Sequence, residues 1–139
     1  MIFRKVLLLI GSGIFLLLAS GHLYYTFFTD RLYPRKEETI ELMKNDSMNL
    51  TNKTTVWSLW IGFNGSHSLG GIFLGLVNIL LVLRYPMIIC DSVALLGLNV
   101  IISASYLFLA KMYWFNTPLT GISIATLCYV LALLSAIFK

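Results

Sequence analysis

The sequence predicts an all-α fold: a four-helix transmembrane bundle, up-and-down, with a polar loop between its first and second helices. Of 139 residues, 58% are apolar and 12% charged, against about 25% charged in soluble globular chains. Mean hydropathy is +0.85. The apolar residues gather into four runs, each long enough for a hydrocarbon core about 30 Å thick, which takes roughly 20 helical residues. The last two connections between runs are short, which forces the helices they join to run antiparallel. Lipid offers no partner to open backbone, and the alternating pattern of a membrane barrel is absent, so helices are the economical solution.

The chain reads as a single membrane domain, residues 1–139. Its first run spans 6–28. Arg4 and Lys5 ahead of Val6 to Leu18, followed by Ala19, Ser20 and Gly21, also fit a secretory signal with a cleavage site. The apolar run continues through HLYYTFF to Phe28, which favours an uncleaved span.

Residues 29–55 form the polar loop, with five Lys or Arg and five Asp or Glu. Within it, PRKEETIELMKNDSMN opens with Pro34 and places Glu37 and Glu38 in its first turn, with Ile40, Met43 and Met48 at near-helical spacing. This predicts a short amphipathic helix on the bundle mouth or membrane surface, with a solvated loop as the alternative. The second run spans 56–83, and Trp57 and Trp60 in its first turn suit the membrane–water interface. The third, 86–110, restarts after Tyr85 with Pro86. The fourth, 118–138, is predicted to begin with Thr117 as N-cap and Pro118 as first helical residue.

The net charge of +4 does not mark a nucleic-acid binder, because Lys and Arg flank the apolar runs and form no basic stripe. Arg4, Lys5, Arg84 and Lys139 fall on one side of the membrane, and Arg31, Arg35, Lys36, Lys44, Lys53 and Lys111 on the other. The count favours a cytoplasmic loop, whereas the charges leading the first span favour an inside N-terminus, which is preferred here. Cys90 and Cys128 lack metal or redox spacing and read as packing residues. Asn45, Asn49 and Asn52 begin N-x-S/T triplets, which matter only in a glycosylating lumen.

Polar residues within the spans are the candidates for function. At 100° per residue, Trp60, Asn64, His67, Ser68, Gly71, Gly75 and Asn78 share one stripe of the second span, which must face protein. Gly71 and Gly75 form a G-x-x-x-G that lets another helix approach closely, and Gly70 widens that surface. Gly11, Phe15, Leu18, His22, Tyr25 and Thr26 share a face of the first span. Ser92, Asn99, Ser103, Tyr106 and Ala110 share one of the third. The fourth adds only Thr120 and Ser123 near its start, and is expected to be the packing and lipid-facing member.

His22 lies seventeen residues after Lys5, and His67 seventeen before Arg84. At 1.5 Å per residue both sit about 25 Å from the same face. Ser103 reaches nearly that height. A polar cavity under loop 29–55, lined by His22, Asn64, His67, Ser103 and Tyr106, is therefore expected to bind a small or lipophilic ligand. Three roles are open for the histidines: hydrogen bonding to a lipid, sterol or quinone head or relaying a proton; axial ligation of a haem iron by His22 and His67; and purely structural hydrogen bonding.

No catalytic residue is assigned, although a bis-histidine haem electron carrier or a small membrane enzyme using His67 stands as the alternative function. A phosphate loop, a G-x-S-x-G and a carboxylate pair within the spans are all absent, and Ser66 and Ser68 are only sequence neighbours of His67. Internal repeats of the transporter kind are absent too. The partners expected are the lipid bilayer, a lipophilic small molecule, and a second copy or another membrane protein.

The run PRKEE with Met43 downstream, followed by WSLWIGFNGSHSLGG, resembles a group of small four-span bacterial membrane proteins sharing a W-x-G-F-N-x-S-H-S-L-G run. Trp60, Gly62, Phe63, Asn64, Ser66, His67 and Gly70 are its most specific part. That group carries no assigned activity, so the resemblance implies the architecture and a bacterial inner membrane. Claudin-like tetraspans share the helix count but have an extracellular cysteine pair that this chain lacks.

Overall fold

A computed structural model describes residues 1–138; Lys139, counted above among the flanking charges, lies outside the described residues. The described chain consists of α1 (Ile2–Phe28), α2 (Glu37–Asn45), β1 (Ser47–Met48), β2 (Thr51–Thr55), α3 (Val56–Arg84), α4 (Pro86–Asp91), α5 (Val93–Tyr113) and α6 (Asn116–Ile137). Four of these, α1, α3, α5 and α6, are long and apolar enough to cross a membrane. The fold is all-α with four spans, and the protein is a multi-pass integral membrane protein. Large apolar side chains such as Leu17, Phe73, Ile101 and Phe108 lie exposed along the spans. Such a surface suits lipid, not water.

The chain divides into two compact units, one of Met1–Leu18 with the chain from Gly71 onward, the other Ala19–Gly70. The first holds the apolar core, where Leu8, Phe15, Leu96, Ile122, Ala125 and Tyr129 are buried. Gly11 of α1 lies against Tyr129 and Ala125 of α6, and Leu18 against Gly121, so these two helices run antiparallel. Gly75 of α3 meets the backbone of Ser12 and Leu16 on α1. Because Gly carries no side chain, the two backbones approach there as the small-residue motif predicts.

Polar groups in this unit find one another across helices. Asn78 and Asn99 exchange two hydrogen bonds between α3 and α5, with Asn99 Nδ2 donating to Asn78 Oδ1 at 3.2 Å and Asn78 Nδ2 donating in return. The Ser12 and Tyr129 hydroxyls pair at 3.1 Å between α1 and α6. Hydrocarbon leaves such groups no water, so pairing inside the protein is their favourable outcome.

Several boundaries differ from expectation. The third run, expected as one helix over 86–110, breaks at Ser92, whose backbone is extended and whose hydroxyl accepts the Leu95 N–H as N-cap of α5. Arg4 occupies the break. It is more than a flanking charge: it is 5% exposed, donates through Nη1 to the Cys90 carbonyl, and pairs with Asp91 Oδ1 at 2.8 Å. Paired in this way it can lie within α1, which therefore starts at Ile2 and not near Val6.

α6 begins at Asn116 with Phe115 as its cap residue, so Thr117 and Pro118 already lie inside its first turn. Thr120 and Ser123 are exposed, whereas Thr126 and Tyr129 are buried. The fourth span packs through Ile122, Ala125 and Ala132 and exposes Ile124 and Leu127 as expected, but it also supplies a buried polar residue that the expectation did not include. Tyr129 supplies that polarity through a single hydroxyl on an otherwise apolar ring.

In the second unit, the expected amphipathic helix is the shorter α2, followed by a hairpin that was not foreseen. Asn45 Nδ2 donates to the Glu41 carbonyl, and Asp46 Oδ1 accepts the Ser47 N–H at 2.8 Å. Such side-chain bonds to backbone compete with helix continuation. Met48 therefore lies on β1, which pairs antiparallel with the threonine-rich β2. β2 leads directly into α3. Tyr33, Trp57 and Trp60 cluster at that junction, with ring centroids 4.8 Å apart for Tyr33 and Trp57 and 5.5 Å for the two tryptophans. Aromatic groups of this kind suit the level of lipid headgroups.

Candidate functional site

The second unit gathers three of the five candidate ligand-binding residues. His22 comes from the C-terminal third of α1, and Asn64 and His67 from the first half of α3. Asn64 and His67 are three residues apart and therefore share a helix face. The His22 and His67 rings meet edge to face, with centroids 5.8 Å apart and planes inclined by 77°. Phe63, one turn before His67, lies nearly parallel to its ring at 6.2 Å.

Asn64 fixes how His22 is used. Its Nδ2 donates to the Trp60 carbonyl at 2.8 Å, so its Oδ1 is the atom facing His22 Nε2 at 2.9 Å. An amide oxygen only accepts, and Nε2 therefore carries the hydrogen. Two hydroxyls finish the local backbone: Thr26 donates to the His22 carbonyl and Ser68 to the Asn64 carbonyl, each at 2.8 Å. Both are enclosed within the protein, and each feeds a carbonyl four residues back along its own helix. Thr26 stood on the predicted face of the first span, but its service to the His22 backbone was not anticipated.

Ser103 and Tyr106, the other two candidates, belong to the first unit. Ser103 is buried and donates to the Val100 carbonyl at 3.1 Å. Tyr106 packs edge-on against Phe15, with centroids 5.4 Å apart. Gly75 makes the close approach to α1 described above, and Gly71 is buried on α3.

The chemistry available at the histidines is hydrogen bonding and proton exchange. Among the described residues, no three His, Cys, Asp or Glu side chains converge. A haem iron ligated at His22 Nε2 would displace Asn64, leaving Nδ1 as the nitrogen open to a metal. No protein-family model matches the chain, and neither curated proteins nor solved structures offer a significant match.

Proposed function

We propose that this membrane protein sits in a bacterial inner membrane and holds the polar head of a lipophilic small molecule at His22, Asn64 and His67. It acts as a ligand-binding or accessory protein. The observation that carries this is the meeting of two imidazoles from different spans, one of them oriented by an amide that is itself anchored to backbone. Ionisable groups within a span are costly to keep, and their common use is to meet a ligand or a proton. The bacterial setting is supported by the resemblance of WSLWIGFNGSHSLGG to the four-span bacterial group.

The test is organic extraction of the purified protein followed by mass spectrometry, with a visible spectrum of the same sample. A lipophilic compound present in wild type and lost from both His22→Ala and His67→Ala is the expected result. Identical extracts from all three proteins would refute the proposal, and a haem Soret band lost in both variants would replace it with haem ligation.

A further inference from the structure

The hydrogen bonds around His22 decide which kind of polar head the site accepts, given the ligand-binding role proposed above. We infer that the ligand engages His22 through a hydroxyl that it donates, which makes it a lipophilic alcohol, phenol or quinol and not a ketone, quinone or ether. Asn64 Nδ2 donates to the Trp60 carbonyl, so Oδ1 is turned to His22 and Nε2 must bring the hydrogen. In the neutral ring the other nitrogen, Nδ1, then has only a lone pair to offer.

His22 Nδ1 makes no hydrogen bond to the described residues. It is not sealed off either, because the single enclosed side-chain atom left unpartnered among them is the Thr126 hydroxyl oxygen. An open acceptor on a half-buried ring, set edge to face with the His67 ring, suits a hydroxyl carried on an apolar body. A carbonyl or ether oxygen would meet lone pair with lone pair, and the imidazole would be left without its bond.

The experiment uses the full chain in nanodiscs with ¹⁵N-labelled histidine. Two-bond proton–nitrogen correlation should show the His22 hydrogen on Nε2 in wild type and in Asn64→Asp, which keeps the accepting oxygen, and mixed tautomers in Asn64→Leu. The probes are 4-decylphenol and its methyl ether, which differ in the one donated hydrogen. The phenol should shift the His22 Nδ1 resonance saturably, and the ether should bind about two- to tenfold more weakly, the worth of one hydrogen bond.

A hydrogen found on Nδ1, equal binding of the two probes, or no shift with the phenol would each overturn the inference. The tautomer is read without ligand, so its failure is distinct from failure of the ligand-binding role. That role falls if the extracts do not depend on the histidines, whatever the tautomer.

Discussion

Substituting Gly75 tests the close contact between α1 and α3. A Cβ at this position would lie 2.8 Å from the Ser12 carbonyl oxygen, 2.9 Å from Leu16 Cβ and 3.0 Å from the Leu16 nitrogen. Carbon atoms reach favourable contact only at about 3.5 Å. Two of the three obstructing atoms are backbone, so no rotamer change relieves the clash and α1 itself must move. Such movement also strains the Ser12–Tyr129 hydroxyl pair.

Forced overpacking costs about 1–3 kcal/mol, against roughly 1 kcal/mol that Ala gains over Gly from helix propensity. Gly75→Ala should therefore destabilise by up to about 2 kcal/mol, and Gly75→Leu by more. Gly13 supplies the control. It lies on the same helix as Ser12, and a Cβ there would meet nothing within 4 Å, so Gly13→Ala should be neutral or stabilising by up to about 1 kcal/mol. Thermal unfolding in detergent, followed by circular dichroism, reads all three variants. Equal melting of Gly75→Ala and Gly13→Ala would refute the close approach.

Four further outcomes are expected. Arg4→Met should cost about 3 kcal/mol, because it removes the buried guanidinium that donates to Asp91 and the Cys90 carbonyl, and the Arg4→Met, Asp91→Leu double variant should recover much of that loss in the same unfolding assay. A double-mutant cycle on Asn78→Val and Asn99→Val should give a coupling of about 0.6–1.7 kcal/mol, as for other interhelical bonds in membranes; zero coupling would show that the two amides do not meet. Thr126→Val should stabilise by about 1 kcal/mol, since it removes an enclosed hydroxyl that has no partner, and a lower melting temperature would contradict this. Alkaline carbonate washing should leave the protein in the membrane pellet, as four spans demand, and recovery in the supernatant would refute the membrane fold.

Hydropathy alone exposed the four spans, because lipid imposes length and apolarity on each independently of its neighbours. It could not expose the break at Ser92. Ser92 sits within an apolar run, and the break it caps is met by Arg4, 86 residues before Cys90 and 87 before Asp91 in the chain. The hairpin was hidden because its turn, Asn49 and Leu50, lacks the Asn-Gly or Asp-Gly signature. The threonines of β2 were the one signal present, since β-branched residues favour strands.

At the candidate site, periodicity placed Asn64 and His67 on one face of the second span, and counting from the flanking charges set His22 at their level. It could not say which nitrogen of His22 is protonated. That depends on the Asn64 amide being turned by the Trp60 carbonyl, a fact of hydrogen-bond geometry.

The facing of His22 and His67 is tested most directly by crosslinking. In a background of Cys90→Ala and Cys128→Ala, the pair His22→Cys and His67→Cys should be joined by a short bifunctional thiol reagent, because the rings they replace have centroids 5.8 Å apart and packed helices lie about 8–10 Å axis to axis. The control pair His22→Cys and Ser66→Cys should not be joined, since Ser66 is exposed and one residue away around the helix. Crosslinking of the first pair alone is the predicted result. No crosslinking, or equal crosslinking of both pairs, would contradict the site.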